Sequence, residues 1–251
     1  MLNIILHGCC GAMGHVVADM AAKTENMRIA AGIDRRKADG YAFPVYDTCA
    51  NCQEEADVII DFSNAAAADE LLEYAVSRKM PLVLCTTGLS DEQLEKVSEA
   101  SKSIPLLRSA NMSLGVNTLF KLAAIGAGVL ADRGYDIEII EEHHHRKLDA
   151  PSGTALAIAD AINEKMGGRY TYKYDRSSQR AARDPNEIGI QSVRGGSIVG
   201  IHDLLFCGED EVIEIKHTAY SRNIFAKGAL QAAEFLKGKE SGLYDMSDVI
   251  G

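Results

Sequence analysis

Apolar positions along the chain fall into two textures. In the first, short unbroken runs alternate with helically spaced ones. "NIILHG" precedes a helical stretch from Met13 to Ala22, "RIAAGID" follows, "DVIIDFS" precedes one from Ala65 to Arg78, "PLVLCTTG" precedes one from Asp91 to Ser101, and "IPLLRS" closes the series. Apolar strands separated by helices predict crossover connections and a parallel sheet. From Asp136 the texture changes to closely spaced strand-like runs, "DIEIIEEH", "IGIQSVRGG", "VGIHDLLFCG" and "EVIEIKHTAY", which predict an antiparallel or mixed sheet in a second, α+β domain. The stretch "RNIFAKGALQAAEFLKGK" returns to helical spacing at Ile224, Ala229, Ala232, Ala233 and Leu236, and is expected to pack back on the first domain. The predicted class is therefore α/β, with one domain over 1–112 completed by 223–251 and another over 113–222. Gly167 to Glu187, rich in Arg, Tyr and Ser, is expected to be a mobile surface loop.

Composition narrows the function classes. The 251 residues are 47% hydrophobic and carry a formal net charge of -10, which argues against nucleic acid as a partner, because that needs a basic face. No window reads as a membrane span, so no membrane partner is expected. The N-terminus lacks a basic region and a cleavage site, and the six cysteines are too sparse for a disulfide scaffold; both fit a cytoplasmic location. The pair in "CANC", Cys49 and Cys52, has no second pair to complete a metal site and is read as structural, so no metal is expected.

The first chemical motif is "GCCGAMG". Gly8, Gly11 and Gly14 follow a strand and open a helix, where glycine allows a tight turn and close approach to a pyrophosphate, and the helix N-terminus offers unpaired N–H groups. The second strand ends in Asp34, placed as Rossmann-like folds place the acid that binds adenosine ribose hydroxyls. Arg35 and Arg36 beside it suit the 2′-phosphate of NADPH, whereas Asp34 itself favours NADH, and both cofactors stay open. "CTTG" and "SANMS" lie beyond the carboxyl ends of later strands, where open α/β sheets bind ligands.

The second motif is "EIIEEHHHRKLDAPSGTAL", Glu138 to Leu156. On an extended backbone His143 and His145 share a side and His144 faces away, a poor arrangement for a three-histidine metal site. Pro151 and Ser152 start a helix, which sets Gly153 and Thr154 at a second anion-attracting N-terminus. Imidazoles and cations leading into such a turn suit a small polyanionic substrate that exchanges protons near neutral pH. A solvated basic loop or an oligomer contact is the plainer alternative. Isolated His7, His15, His202 and His217 need no role, although His217 and Arg222 could approach the substrate.

These residues resemble the dihydrodipicolinate (4-hydroxy-tetrahydrodipicolinate) reductase family, whose pattern E-x-x-E-x-H-x-x-x-K-x-D-x-P-S-G-T-A is met at Glu138, Glu141, His143, Lys147, Asp149, Pro151, Ser152, Gly153, Thr154 and Ala155. "SANMSLGVN", "SVRGGSIVGIHDLLF", "HTAYSRNIFAKGAL" and "GLYDMSDVI" follow in the family's order, so the likeness spans the chain. The resemblance implies an NADH- or NADPH-dependent reduction of a ring dicarboxylate in lysine and diaminopimelate biosynthesis. It makes His143 the general acid/base, Lys147 a proton donor, and His144, Gly153 and Thr154 the substrate holders. Gly8, Cys9, Cys10, Gly11, Ala12, Met13, Asp34, Arg35, Cys85, Thr86, Thr87, Ser109, Ala110, Asn111 and Met112 would line the dinucleotide, and a homotetramer joined through the second domain's sheet is implied. Two positions depart from the family pattern: Ala12 stands where arginine is usual, which removes a cation near the adenosine phosphate, and Cys85 where glycine is common. Rival readings are another oxidoreductase, such as a semialdehyde or homoserine dehydrogenase, and a module that senses the dinucleotide without turnover.

Overall fold

The computed structural model describes residues 1–36, 40–178 and 180–251, in two compact units: Met1–Leu114 with Arg222–Gly251, and Gly115–Ser221. In the first, β1 (Leu2–His7), α1 (Ala12–Ala21), β2 (Met27–Ile33), β3 (Val45–Tyr46), β4 (Val58–Asp61), α2 (Ala68–Ser77), β5 (Leu82–Leu84), α3 (Asp91–Ser101) and β6 (Pro105–Arg108) run in sequence. The second contains nearly all of α4 (Leu114–Leu130), then β7 (Asp136–His143), α5 (Gly153–Lys165), β8 (Thr171–Lys173), β9 (Glu187–Arg194), β10 (Gly200–Cys207) and β11 (Val212–Ala219). The chain then returns to the first unit through α6 (Asn223–Leu236), β12 (Gly242–Tyr244) and α7 (Met246–Ile250).

The first unit is a seven-stranded, wholly parallel sheet in the order β12-β6-β5-β4-β1-β2-β3. Its strands read as unbroken apolar runs because both faces are covered. Ile4 and Leu6 pack in one core with Val17 of α1 and Ala229, Leu230 and Ala233 of α6, while Ile5 points into the opposite core with Leu71 of α2 and Val97 of α3. Each such Val, Leu or Ile side chain, once buried, contributes about 1.5–3 kcal/mol. The strand order reverses between β1 and β4, and a crevice opens at their carboxyl ends, where doubly wound sheets hold ligands.

The second unit's mixed sheet has the order β11-β10-β7-β9-β8, with β7 antiparallel to β10 and parallel to β9. Along β7 the inward positions are Ile137, Ile139, Glu141 and His143. The first two pack with Ile158 and Ile162 of α5 and with Leu119, Ala123 and Ala127 of α4. The alternation that builds this core therefore also carries a carboxylate and an imidazole inside, on the same strand.

Two expectations are corrected here. The segment Leu114–Arg133 is long and apolar enough by composition to cross a membrane, although the sequence reading found no such window and assigned no helix there. Its inward residues belong to the core just described, and Leu122, Ile125 and Val129 are exposed on its other side. The stretch taken as a mobile loop contains β8. Arg176 pairs with Glu138 and Glu187, and Arg183 with Asp136 and Glu138, so that charged side chains tie the stretch to β7.

Candidate functional site

In the first unit, β1 ends at His7, and Gly8 turns the chain at φ 78° toward α1. A Cβ on Gly8 would lie 2.6 Å from the Phe62 carbonyl oxygen at the end of β4, and one on Gly14 would lie 2.3 Å from the Gly8 carbonyl oxygen. Any side chain at either position would push apart β1, β4 and the first turn of α1. Gly11 caps α1 without a side-chain hydrogen bond, so the helix end keeps its donors for an anion. Asp34, just beyond β2, accepts from the Cys10 N–H at 2.9 Å and the Arg36 N–H at 2.9 Å. Burial alone would raise its pKa, but these donors and the Arg36 side chain hold it below the ordinary carboxylate value, so it is an anion.

A cavity of about 370 Å³ adjoins this loop, lined among others by Gly8, Gly11, Asp34, Arg35 and Arg36. His7, Thr48, Asn64 and Glu70 also line it, and sequence reasoning assigned none of them a part. The turn, the uncapped helix end and the anionic Asp34 beside a cavity together fit a dinucleotide. Cys85 follows β5 and Thr86 is buried, while Ser109, Ala110, Asn111 and Met112 follow β6, all beyond strand carboxyl ends of the same sheet. Asn111 accepts the Ser113 N–H at 2.8 Å, which shapes that loop. Burial pushes the Cys85 thiol well above its usual pKa and the Cys9 thiol up to about 12, the latter aided by Cys10, so both are neutral.

The second unit gathers the other motif around Glu141, which is fully buried. Its carboxylate accepts from His143 Nδ1 at 2.6 Å, from both terminal nitrogens of Arg194 at 2.7 Å, and from the Ser152 N–H at 3.0 Å. Burial opposes the charge, but Arg194 and His143 outweigh it and the pKa falls from 4.5 to about 2. Arg194 also donates to the Asp149 carbonyl, which joins β9 to the loop before α5. Ser152 caps α5 through the Ala155 N–H at 3.1 Å and meets His202 Nε2 at 3.0 Å. Strand register explains the gathering: Glu141 of β7 pairs with His202 of β10, and His202 with His217 of β11.

His143 stacks edge-on to His202, with ring centroids 5.3 Å apart. With Nδ1 engaged by Glu141, its Nε2 is the nitrogen left for exchange. Gly200 keeps that nitrogen accessible, since a Cβ there would lie 3.1 Å from it. Burial lowers the His143 pKa against the raising influence of Glu141, with Lys147 and Arg194 lowering it further. β7 ends at His143 and the chain turns at 145–146, so the extended reading beyond that point is corrected: His145 is exposed rather than sharing His143's side. His144 donates its backbone N–H to the Ile198 carbonyl at 2.8 Å, and its Nδ1 is buried with no hydrogen-bond partner among the described residues. Lys147 pairs with Asp149 at 2.8 Å, and Gly153 and Thr154 open α5.

Sequence reasoning gave His202 and Arg194 no role and Glu141 only a place in the pattern. The alternation along β7 already carried Glu141 and His143 to one face, whereas Arg194 and His202 come from strands more than fifty residues away. Arg222, considered as an approach to the substrate, precedes α6 in the other unit.

The buried His202 is held neutral, its pKa lowered from 6.5 to about 4 by burial and by the nearby His143. The unfolded chain takes up that proton below 6.5, so the folded state's advantage is complete above 6.5 and is lost as pH falls toward 4. Between pH 7 and pH 5 the loss from this residue is about 2 kcal/mol. Urea unfolding at the two pH values should show it, and His202→Asn should reduce the difference by about that amount. An unchanged difference in the variant would remove His202 as its source.

Comparison with known proteins covers nearly the whole chain. The chain matches the model for the N-terminus of dihydrodipicolinate reductase over residues 2–112 and that for its C-terminus over 115–250. It is 52% identical over 250 residues to the 4-hydroxy-tetrahydrodipicolinate reductase of Caldanaerobacter subterraneus subsp. tengcongensis, covering 100% of this chain and 98% of that protein. It is 45% identical over 250 residues to that of Clostridium novyi, with the same coverage. Among solved structures, dipicolinate-bound dihydrodipicolinate reductase from Paenisporosarcina sp. TG-14 superposes with TM-score 0.83 at 25% identity, over 98% of this chain and 97% of that one. Two halves matched in order, and relatives matched from end to end, make this chain a member of the dihydrodipicolinate reductase family.

Proposed function

We propose that this chain reduces 4-hydroxy-tetrahydrodipicolinate to tetrahydrodipicolinate in lysine and diaminopimelate biosynthesis, with NADH or NADPH as reductant and no metal taking part in the reaction. The observation that carries the assignment of roles is the buried Glu141, which holds His143, Arg194 and the first turn of α5 in one network. When bound, a reduced dinucleotide would supply the hydride for C4 of the ring, whose 4-hydroxyl is lost as water. The turn at Gly8 to Met13 would hold the pyrophosphate, Asp34 and Arg35 the adenosine ribose, and Cys85 to Thr87 with Ser109 to Met112 the nicotinamide. In the second unit His144, Gly153 and Thr154 hold the substrate's carboxylates, the helix end supplying N–H donors. His143 delivers the proton through Nε2 and Lys147 is a second donor.

Asp34 as an anion and Ala12 in place of the usual arginine favour NADH at least as much as NADPH. The edge strand β11, with Val212 and Ile213 exposed, supports the expected homotetramer through this sheet.

The test follows loss of reduced-nicotinamide absorbance with each cofactor, using substrate generated from pyruvate and aspartate semialdehyde by the upstream synthase. Substrate-dependent oxidation is expected, and its absence in protein that binds the dinucleotide would overturn the assignment. In the same assay Lys147→Ala should lower kcat by roughly two orders of magnitude, and an unchanged kcat would remove Lys147 from proton transfer.

A further inference from the structure

The reaction proposed above leaves the two thiols of the glycine loop without a task. Cys9 is fully buried against Gly32, and Cys10 beside it is half-buried. Neighbouring residues on an extended strand send their side chains to opposite faces. The turn after Gly8 instead leaves the two Sγ atoms 3.8 Å apart. Asp34 reaches the same point from the end of β2, so that both sulfurs and a carboxylate oxygen lie within 4.8 Å of one another. Among the described residues no other set of three His, Cys, Asp or Glu side chains converges in this way.

The sulfur–sulfur distance matches one coordination chemistry. Two thiolates held by a tetrahedral zinc ion at about 2.3 Å each lie about 3.8 Å apart, and the Asp34 oxygen, within 4.8 Å of both sulfurs, completes three corners by closing to about 3.6 Å from each. A disulfide fits less well, because the sulfurs would have to close to about 2.05 Å between adjacent residues. We propose that Cys9, Cys10 and Asp34 form a site for one thiophilic divalent cation, Zn²⁺ or Cd²⁺, and that this cation and the dinucleotide exclude each other.

On binding, each thiol gives up its proton to solvent as a metal–sulfur bond forms, Asp34 supplies the third ligand and water the fourth, and no electron is transferred. Exclusion rests on the assignment of this loop and Asp34 to the dinucleotide, since a carboxylate engaged by the cation is no longer an acceptor for ribose hydroxyls. By linkage each ligand weakens the other by the same factor. The cation is an inhibitor of cofactor binding, outside the proposed reaction.

The experiment titrates the dinucleotide-free protein with Cd²⁺ and follows the thiolate-to-cadmium charge-transfer absorption. One equivalent should saturate the band, Cys10→Ser should weaken cadmium binding by about tenfold or more, and Cys52→Ala should leave it intact. A band unaffected by Cys10→Ser, or lost in Cys52→Ala, would overturn the site. At cadmium ten times its Kd, the apparent Kd of the reduced dinucleotide should then rise about tenfold. If dinucleotide binding is weakened by Gly8→Ala but indifferent to cadmium, exclusion is overturned and the loop assignment stands. Indifference to both overturns exclusion together with the loop assignment, while the cadmium band is judged without any dinucleotide present.

Discussion

Replacing His143 by glutamine is expected to lower kcat by about two orders of magnitude or more while leaving the Kd of the reduced dinucleotide unchanged. The side chain is buried on the inner face of β7, its Nδ1 is held by Glu141 at 2.6 Å, and only Nε2 remains to exchange a proton. Glutamine keeps a polar group of similar reach but cannot carry a proton at neutral pH. Burial lowers the His143 pKa in the free protein, whereas a dianionic substrate beside the ring favours its charged form. The alkaline fall in kcat, which reports the bound complex, should therefore lie at higher pH than the fall in kcat/KM, which reports the free enzyme. Coincident limbs, or a full kcat in His143→Gln, would remove this imidazole from proton delivery.

Glu141→Gln is expected to cost about 3 kcal/mol of stability at neutral pH, because the fully buried carboxylate accepts from His143, Arg194 and the Ser152 N–H, and a partly exposed Arg194 loses its anion. An amide in that place also turns a donor toward the Ser152 N–H, Arg194 or His143. The native carboxylate, lowered from 4.5 to about 2, contributes stability that is complete above 4.5 and is lost as pH falls toward 2. Over that window the loss is about 3 kcal/mol, and the variant should not show it. A kinetic readout separates positioning from mere support. Glu141 raises the His143 pKa, so its removal should shift the alkaline fall of kcat/KM to lower pH. Unfolding measured against pH, together with that profile, checks both parts; a destabilised variant with an unmoved profile would make Glu141 a structural residue alone.

Much of this was legible in the chain because the relevant interactions are local. The apolar runs of β1, β4 and β5, the glycine turn after β1, and the Ser152 cap of α5 each depend on residues within a few positions of one another. The period-two pattern of "DIEIIEEH" likewise sets Glu141 and His143 on one face before any partner is known. The helix α4 escaped notice because its small and apolar residues continue around much of its surface, leaving little contrast between its sides. The loop before β9 was misjudged because Arg176 and Arg183 are held by acids contributed largely by β7, not by neighbours in sequence.

The sequence by itself determined the parallel and mixed sheets, the family pattern, and which side chains could carry protons or bind anions. Only the tertiary structure decided what those groups do to one another. Register between β7, β10 and β11 aligns Glu141, His202 and His217, and β9 brings Arg194 from 53 residues away to saturate the same carboxylate. Burial and those contacts set the protonation states of His143, His202 and Glu141, because desolvation and charge pairing act through distance in space and not along the chain.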